Sequence, residues 1–168
     1  MKRYIYGLFS QTTDGSAVTN TVTETTIIGS GQGGLTVPAN GFILGDSFHA
    51  KLGGEISAQN GDEITMQIKN GATVLATTGV ITLSPCTNQG WEIEIDFTVS
   101  SLGASGSINT NGDFIYSRDS GTFEGVVFND TETTDTTASS TLDVTVTWGQ
   151  AKTQDSISCH SFILTKTF

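Results

Sequence analysis

Positive charge is scarce in this chain. Lys and Arg number 7 against 17 Asp and Glu, for a net charge of −10 and a pI near 4.3. Phosphate binding is built on Lys and Arg, so this balance opposes nonspecific contact with nucleic acid. The opening "MKR" is the one locally basic stretch, and it is too short an arm to gather a genome. Charged residues of either sign make up only 14% of the chain. Ala and Lys are scarce and Leu is modest, while Thr, Ser and Gly abound. That mix excludes much helix, since Thr is β-branched and Gly carries a high backbone entropy cost. Long apolar runs are missing too. None approaches the roughly 20 residues of a membrane-spanning helix. The residues after "MKR", "YIYGLFSQTTDG", lack the apolar core and cleavage site of a secretory signal. Cysteine is limited to Cys86 and Cys159, too few and too far apart for a disulfide framework. Cys159 sits in a strand-like run and reads as a buried free thiol. These features predict a soluble chain made in a reducing cytoplasm, where the glycosylation sequon "NDT" at 129 to 131 has little meaning.

What is present is alternation. At 168 residues the chain predicts one domain over 1–168, able to bury about 70% of its unfolded surface. Periodicity is mostly two, the strand period. Strands are expected over 3 to 9, 22 to 28, a short piece of 35 to 42, 46 to 56, "EITMQIK" and "TVLATTG". In the fourth, Phe48, Ala50 and Leu52 oppose His49 and Lys51. Ile64, Met66 and Ile68 share one face, and "QNGD" and "NGA" are tight turns. Later come 91 to 99, then 106 to 118 as a pair or one long bulged strand, and 122 to 130. The stretch 141 to 149 places Leu142, Val144, Val146 and Trp148 inward, and a final strand runs from 156 to the last residue. Long loops are expected between 78 and 91 and between 129 and 141, with "TETTDTTASS" as a mobile polar segment. About eight to ten strands with crossing connections predict an all-β antiparallel sandwich, with a single jelly roll as the first choice.

The stretch "WEIEIDFTV" concentrates the functional question. On a strand, Trp91, Ile93, Ile95 and Phe97 share one face, and Glu92, Glu94 and Asp96 share the other. "EIEID" resembles the E-x-D-x-E strand motif of retaining β-glucanases, with the middle and last residue types exchanged. Same-face neighbours lie roughly 7 Å apart along a strand, and flexible side chains could reach the ~5–5.5 Å of a retaining carboxylate pair. A glycan cleft also needs aromatic platforms on the acid face, however, and Trp91 and Phe97 fall on the opposite one. The acids are therefore expected to face water or a neighbouring subunit.

Other signals read as ordinary structure. Gly29, Gly31 and Gly34 of "GSGQGG" match G-x-G-x-x-G, but the extended "LTVPANGF" follows where the dinucleotide fingerprint requires a helix, so a flexible loop is expected. His49 and His160 stand apart, each within a strand, and with the two distant cysteines they lack the close-spaced pairs of zinc sites. "NTNGD" (109 to 113) and "NDTETTD" (129 to 135) cluster oxygen ligands in the manner of calcium loops, and are equally good turn chemistry. Nothing like G-x-S-x-G is present. The sequence thus nominates no catalytic, cofactor-binding or metal-ligating residues.

With the strands placed, "LTVPANGFILGDSFHAKLGGEIS", "EITMQIKNG", "WEIEIDFTVSSLG" and "NGDFIY" together resemble the small single jelly-roll capsid proteins of large icosahedral DNA viruses, including the pentons at fivefold vertices. The resemblance runs from about Gly7 to the end and rests on turn and strand patterns. It implies a homopentamer in the virion shell, in contact with neighbouring major and minor capsid proteins and without a catalytic step. Two rivals stay open: a carbohydrate-binding or glycan-cleaving β-sandwich, and a trimeric fibre or tail knob.

Overall fold

The structure, a computed structural model, describes residues 6–168. "MKR" and the start of the strand expected over 3 to 9 lie outside the described residues. The strands in chain order are β1 (Tyr6–Gln11), β2 (Val18–Thr19), β3 (Thr25–Thr26), β4 (Gly31–Gly33), β5 (Thr36–Val37), β6 (Ser47–Ala58) and β7 (Glu63–Asn70). They continue as β8 (Thr73–Thr82), β9 (Cys86–Ser101), β10 (Gly106–Ser117), β11 (Phe123–Thr134), β12 (Ser140–Trp148) and β13 (Ser156–Lys166). Nine of these run six residues or longer, and no described residue is helical. The fold is an all-β antiparallel sandwich.

The large sheet runs β11-β10-β9-β6-β13-β1-β4, with β2 beside β13. The small sheet runs β3-β12-β7-β8, with β5 beside β12. Two nested ribbons tie them together: β6 pairs with β13 in one sheet, and β7 with β12 in the other. The division of strands is eight and five, with β9, β10 and β11 meandering to one edge of the large sheet.

The alternation in the sequence is realised almost everywhere it is strong. Ile64, Met66 and Ile68 on β7 are fully buried, as are Val144, Val146 and Trp148 on β12. Trp91, Ile93, Ile95, Phe97 and Val99 on β9 face them across the interior. The polar tips of the buried Trp91, Trp148 and Tyr116 find partners, as burial demands. Trp91 Nε1 donates to the Ser158 carbonyl and Trp148 Nε1 to the Val18 carbonyl, both at 3.0 Å. Tyr116 donates to Glu124 at 2.5 Å and accepts from the Ser84 N–H at 2.8 Å. Cys86 and Cys159 are buried and unbridged.

Five expectations change. The loop expected between 78 and 91 shrinks to three residues, because 86–90 pair with β6 as the start of β9. "TETTDTTASS" is strand through Thr134, since threonine suits a half-exposed strand and β10 supplies the ladder. The strand expected over 22 to 28 contracts to Thr25–Thr26, because only those two residues pair with β12. "GSGQGG" is not a flexible loop. Gly31–Gly33 form β4 against β1, so close that a Cβ on Gly31 would stand 2.3 Å from the Ser10 carbonyl oxygen. The glycines there serve close backbone approach. The final strand stops at Lys166.

Candidate functional site

The outer face of the large sheet carries the acidic row. Register sets three rows across it. Asp113, Glu94, Lys51 and Ile163 form one; Ile115, Glu92, Gly53 and Ser161 the next; Asn111, Asp96, His49 and Thr165 the third. The Lys51 ammonium lies 2.5 Å from Glu94 and 2.9 Å from Glu92. It reaches both because Gly53, opposite Glu92, has no side chain to obstruct the diagonal. His49 Nδ1 meets Asp96 at 3.0 Å.

The electrostatics follow from that geometry. Hydrogen bonds to Glu94 and then Glu92 raise the Lys51 pKa. The Lys51 bond holds Glu94 below its ordinary value. A general acid of a glycosidase needs the reverse, a carboxyl raised toward neutrality. The acids alternate with the dry side of β9 as the sequence predicts; Glu92 and Glu94 are spent on ion pairs with Lys51, and Asp96 on a hydrogen bond with His49. His160 is likewise engaged locally, with its Nε2 3.0 Å from Ser158 Oγ.

The calcium-like stretches lie within paired strands except for Asp135, which follows β11 and accepts from Thr137. Asn109, Asn111 and Asp113 stand opposite Thr131, Asn129 and Val127. Among the described residues, no group of three His, Cys, Asp or Glu is placed to share a metal ion.

Sequence reasoning missed three features. Phe123 and Val127 project on the acid face and are 75% and 76% exposed; only the β10–β11 register places them there. A second acidic cluster joins two turns: Asp62 pairs with Lys152 and accepts the Gln59 N–H at 2.8 Å. Asp155 lies beside them, 1% exposed, with Oδ1 lacking a hydrogen-bond partner. Burial, then the hydrogen bond to Asp62 and its charge, push Asp155 up to about 6. For Asp62, burial works against ionisation, but Lys152, Asp155 and the Gln59 N–H outweigh it and the pKa falls. Burial also pushes the neighbouring Cys86 thiol up to about 11.

The third missed feature is a cavity of about 250 Å³ between the sheets at the opposite end. Phe42, Phe48, Phe97, Leu142 and Leu164 line it, and the Asp46–Lys166 ion pair (2.5 Å) stands at its wall. On the same end Ile43, Leu44 and Phe168 are 64%, 60% and 73% exposed. No long-range sequence signal marks them, because they come from a turn and the chain terminus.

No protein-family model matches this chain, and no curated protein matches it. Among solved structures, it is similar to the CBM2 module of the evolved Dit protein of Lactobacillus casei BL23 phage J-1, at 12% identity, a TM-score of 0.39, and coverage of 100% of this chain and 99% of that one. A likeness of that size bears no weight on what this chain does.

Proposed function

We propose that this chain is a structural subunit of a virion shell, of the vertex type, which assembles with copies of itself and with neighbouring capsid proteins and performs no catalysis. The observation that carries the reading is the apolar end. Ile43, Leu44 and Phe168 stand in water beside a cavity walled by aromatics. Interface cores are apolar and depleted in charge, and their strongest contacts seat an anchor side chain in a pocket. The acidic row supports the same reading, because Lys51 already engages Glu92 and Glu94. Such a subunit would be made in the host cytoplasm and end in the particle.

The test is mass in solution by sedimentation or native mass spectrometry. A pentamer that Leu44→Asp and Phe168→Asp convert to monomers is the expected result. A trimer would point to a fibre or tail knob, and a monomer insensitive to both changes would overturn assembly through this end.

One observation favours the carbohydrate-binding alternative. Phe123 is an exposed ring on the face that also holds Asp113 and Glu92. Sugar binding by that face predicts retardation of the protein in gels containing β-glucan, lost on Phe123→Ala.

A further inference from the structure

Among the described residues, six strands pair on one side only: β11, β4 and β2 in the large sheet and β3, β5 and β8 in the small one, of which β2 and β5 have two residues each. An unpaired edge is a template for another chain, and proteins blunt it by shortness, bulges, Lys or Pro. β4 has three residues and β3 has two. β8 is long, but its ladder to β7 shifts register twice, and Gly79 in it takes φ +65°. β11 is neither short nor bulged, and the charge it carries, Glu124, Asp130 and Glu132, is all acidic. Its twelve residues pair with β10 without a register shift, and it contains no Lys, Arg or Pro.

The backbone directions of β11 can be read from two bonds. The Arg118 N–H donates to the Thr122 carbonyl at 2.8 Å at the start of the ladder, so even-numbered residues turn toward β10. The Thr131 N–H turns away and donates to its neighbour's Asp130 Oδ1 at 2.8 Å. The N–H and C=O groups of 125, 127, 129, 131 and 133 therefore line the outer rim.

We propose that β11 takes up an extended segment of a different protein as an added strand, and that this segment carries Lys or Arg among apolar residues. Main-chain bonds along the rim would supply affinity, and alternate side chains the selectivity. Phe123 and Val127 offer apolar contact on one face. Asp130 and Glu132 offer charge on the other, and among the described residues neither forms an ion pair, while Arg118 pairs with Glu124. A second copy of this chain fits poorly in the register centred on Phe128, which sets Glu124 opposite Glu132 twice. Like charges directly opposite are destabilising. The inference stands apart from the virion reading: oligomeric mass tests that one, and peptide binding tests this one.

The probe is a fluorescein-labelled, end-blocked peptide of about twelve residues alternating Val and Lys, followed by fluorescence anisotropy. It should bind, and a Val–Glu counterpart should bind at least about tenfold more weakly. Val127→Pro removes only an outward N–H, a change that edge strands tolerate. It should cut binding about tenfold or more while the melting midpoint holds, and Val127→Thr should bind as the parent does. The doublet Asp130→Lys, Glu132→Lys should also lose binding, even though it frees the Thr131 N–H that Asp130 accepts. Any of four results overturns the proposal: no binding of the Val–Lys peptide at about 1 mM protein, equal binding of the Val–Glu peptide, unchanged binding by both the Val127→Pro and the doublet variants, or a self-associated parent that Val127→Pro dissociates.

Discussion

At one end of the sandwich the β6–β7 turn and the β12–β13 loop meet around Asp62, Lys152 and Asp155. At the other, residues 34 to 46 and the chain terminus leave Ile43, Leu44 and Phe168 in water over an apolar cavity. The first end is closed mainly by polar groups paired with one another, with Asp155 Oδ1 left without a partner. The Asp62 carbonyl accepts the Leu83 N–H at 2.7 Å, and the Lys152 carbonyl accepts the Asn20 N–H at 3.2 Å, so four connections are pinned together. The second end is closed by the Asp46–Lys166 pair and by backbone bonds such as Val99 N–H to the Asp46 carbonyl (2.9 Å) and Thr167 N–H to the Ser47 carbonyl (2.8 Å), yet its outermost side chains are apolar. The contrast teaches that a sandwich this rich in buried strand can keep one end for its own stability and leave the other for contact.

The largest effect should come from the closed end. Asp62→Ala strips Lys152 of its partner and orphans the Gln59 N–H, and should cost about 2–4 kcal/mol in urea unfolding. A loss below about 1 kcal/mol would mean the cluster is not what holds that end.

Asp155 sharpens the same point through pH. Its folded-state pKa is raised from 3.8 to about 6, so between those values the folded protein holds a proton that the unfolded chain has lost. Stability then falls as pH rises through that window, by about 2–3 kcal/mol in all. Asp62 has the opposite sign, and its contribution is lost only at more acid pH, as its lowered pKa is reached. Asp155→Asn keeps a donor to Asp62 and cannot ionise. It should flatten the profile between pH 4 and 6 and stand above the parent at pH 8. A parent profile without that slope would contradict the shared proton.

At the open end the expected order is reversed, with a large change in assembly and a small one in stability. Leu44→Ser should shift monomer stability by no more than about 0.5 kcal/mol, because the side chain is mostly in water. A larger loss would place Leu44 in the fold rather than in a contact. The smallest effect belongs to the acidic row. Glu92→Gln with Glu94→Gln removes two exposed ion pairs and should move the melting midpoint by no more than about 3 °C, less in high salt. A collapse of stability on that change would give the row a structural weight that exposed pairs do not have.

Much of the sandwich was legible because burial writes a period of two into a strand. Trp91 to Val99, Ile64 to Ile68 and Leu142 to Trp148 declare their dry face without any knowledge of their neighbours. Residues 86–90 and 131–134 were less legible, since their side chains are mostly polar and their strand state comes from ladders to β6 and β10. The glycines at 29 to 34 suggested slack, where the chain in fact needed the absence of Cβ atoms to lie against β1. The partners of the acidic row were illegible for the same reason. Lys51 is some forty residues away in sequence, and only the β6–β9 register puts it between Glu92 and Glu94.

By itself, then, the amino-acid order determined the strand class, the two-faced character of β9 and the acidic excess, because alternation and composition are local properties of the chain. Only the tertiary structure decided which edge stays unpaired, that Phe123 shares a face with the acids, and that Asp62 and Asp155 meet across two turns. Those facts depend on register and loop closure, which bring together groups that no local pattern relates.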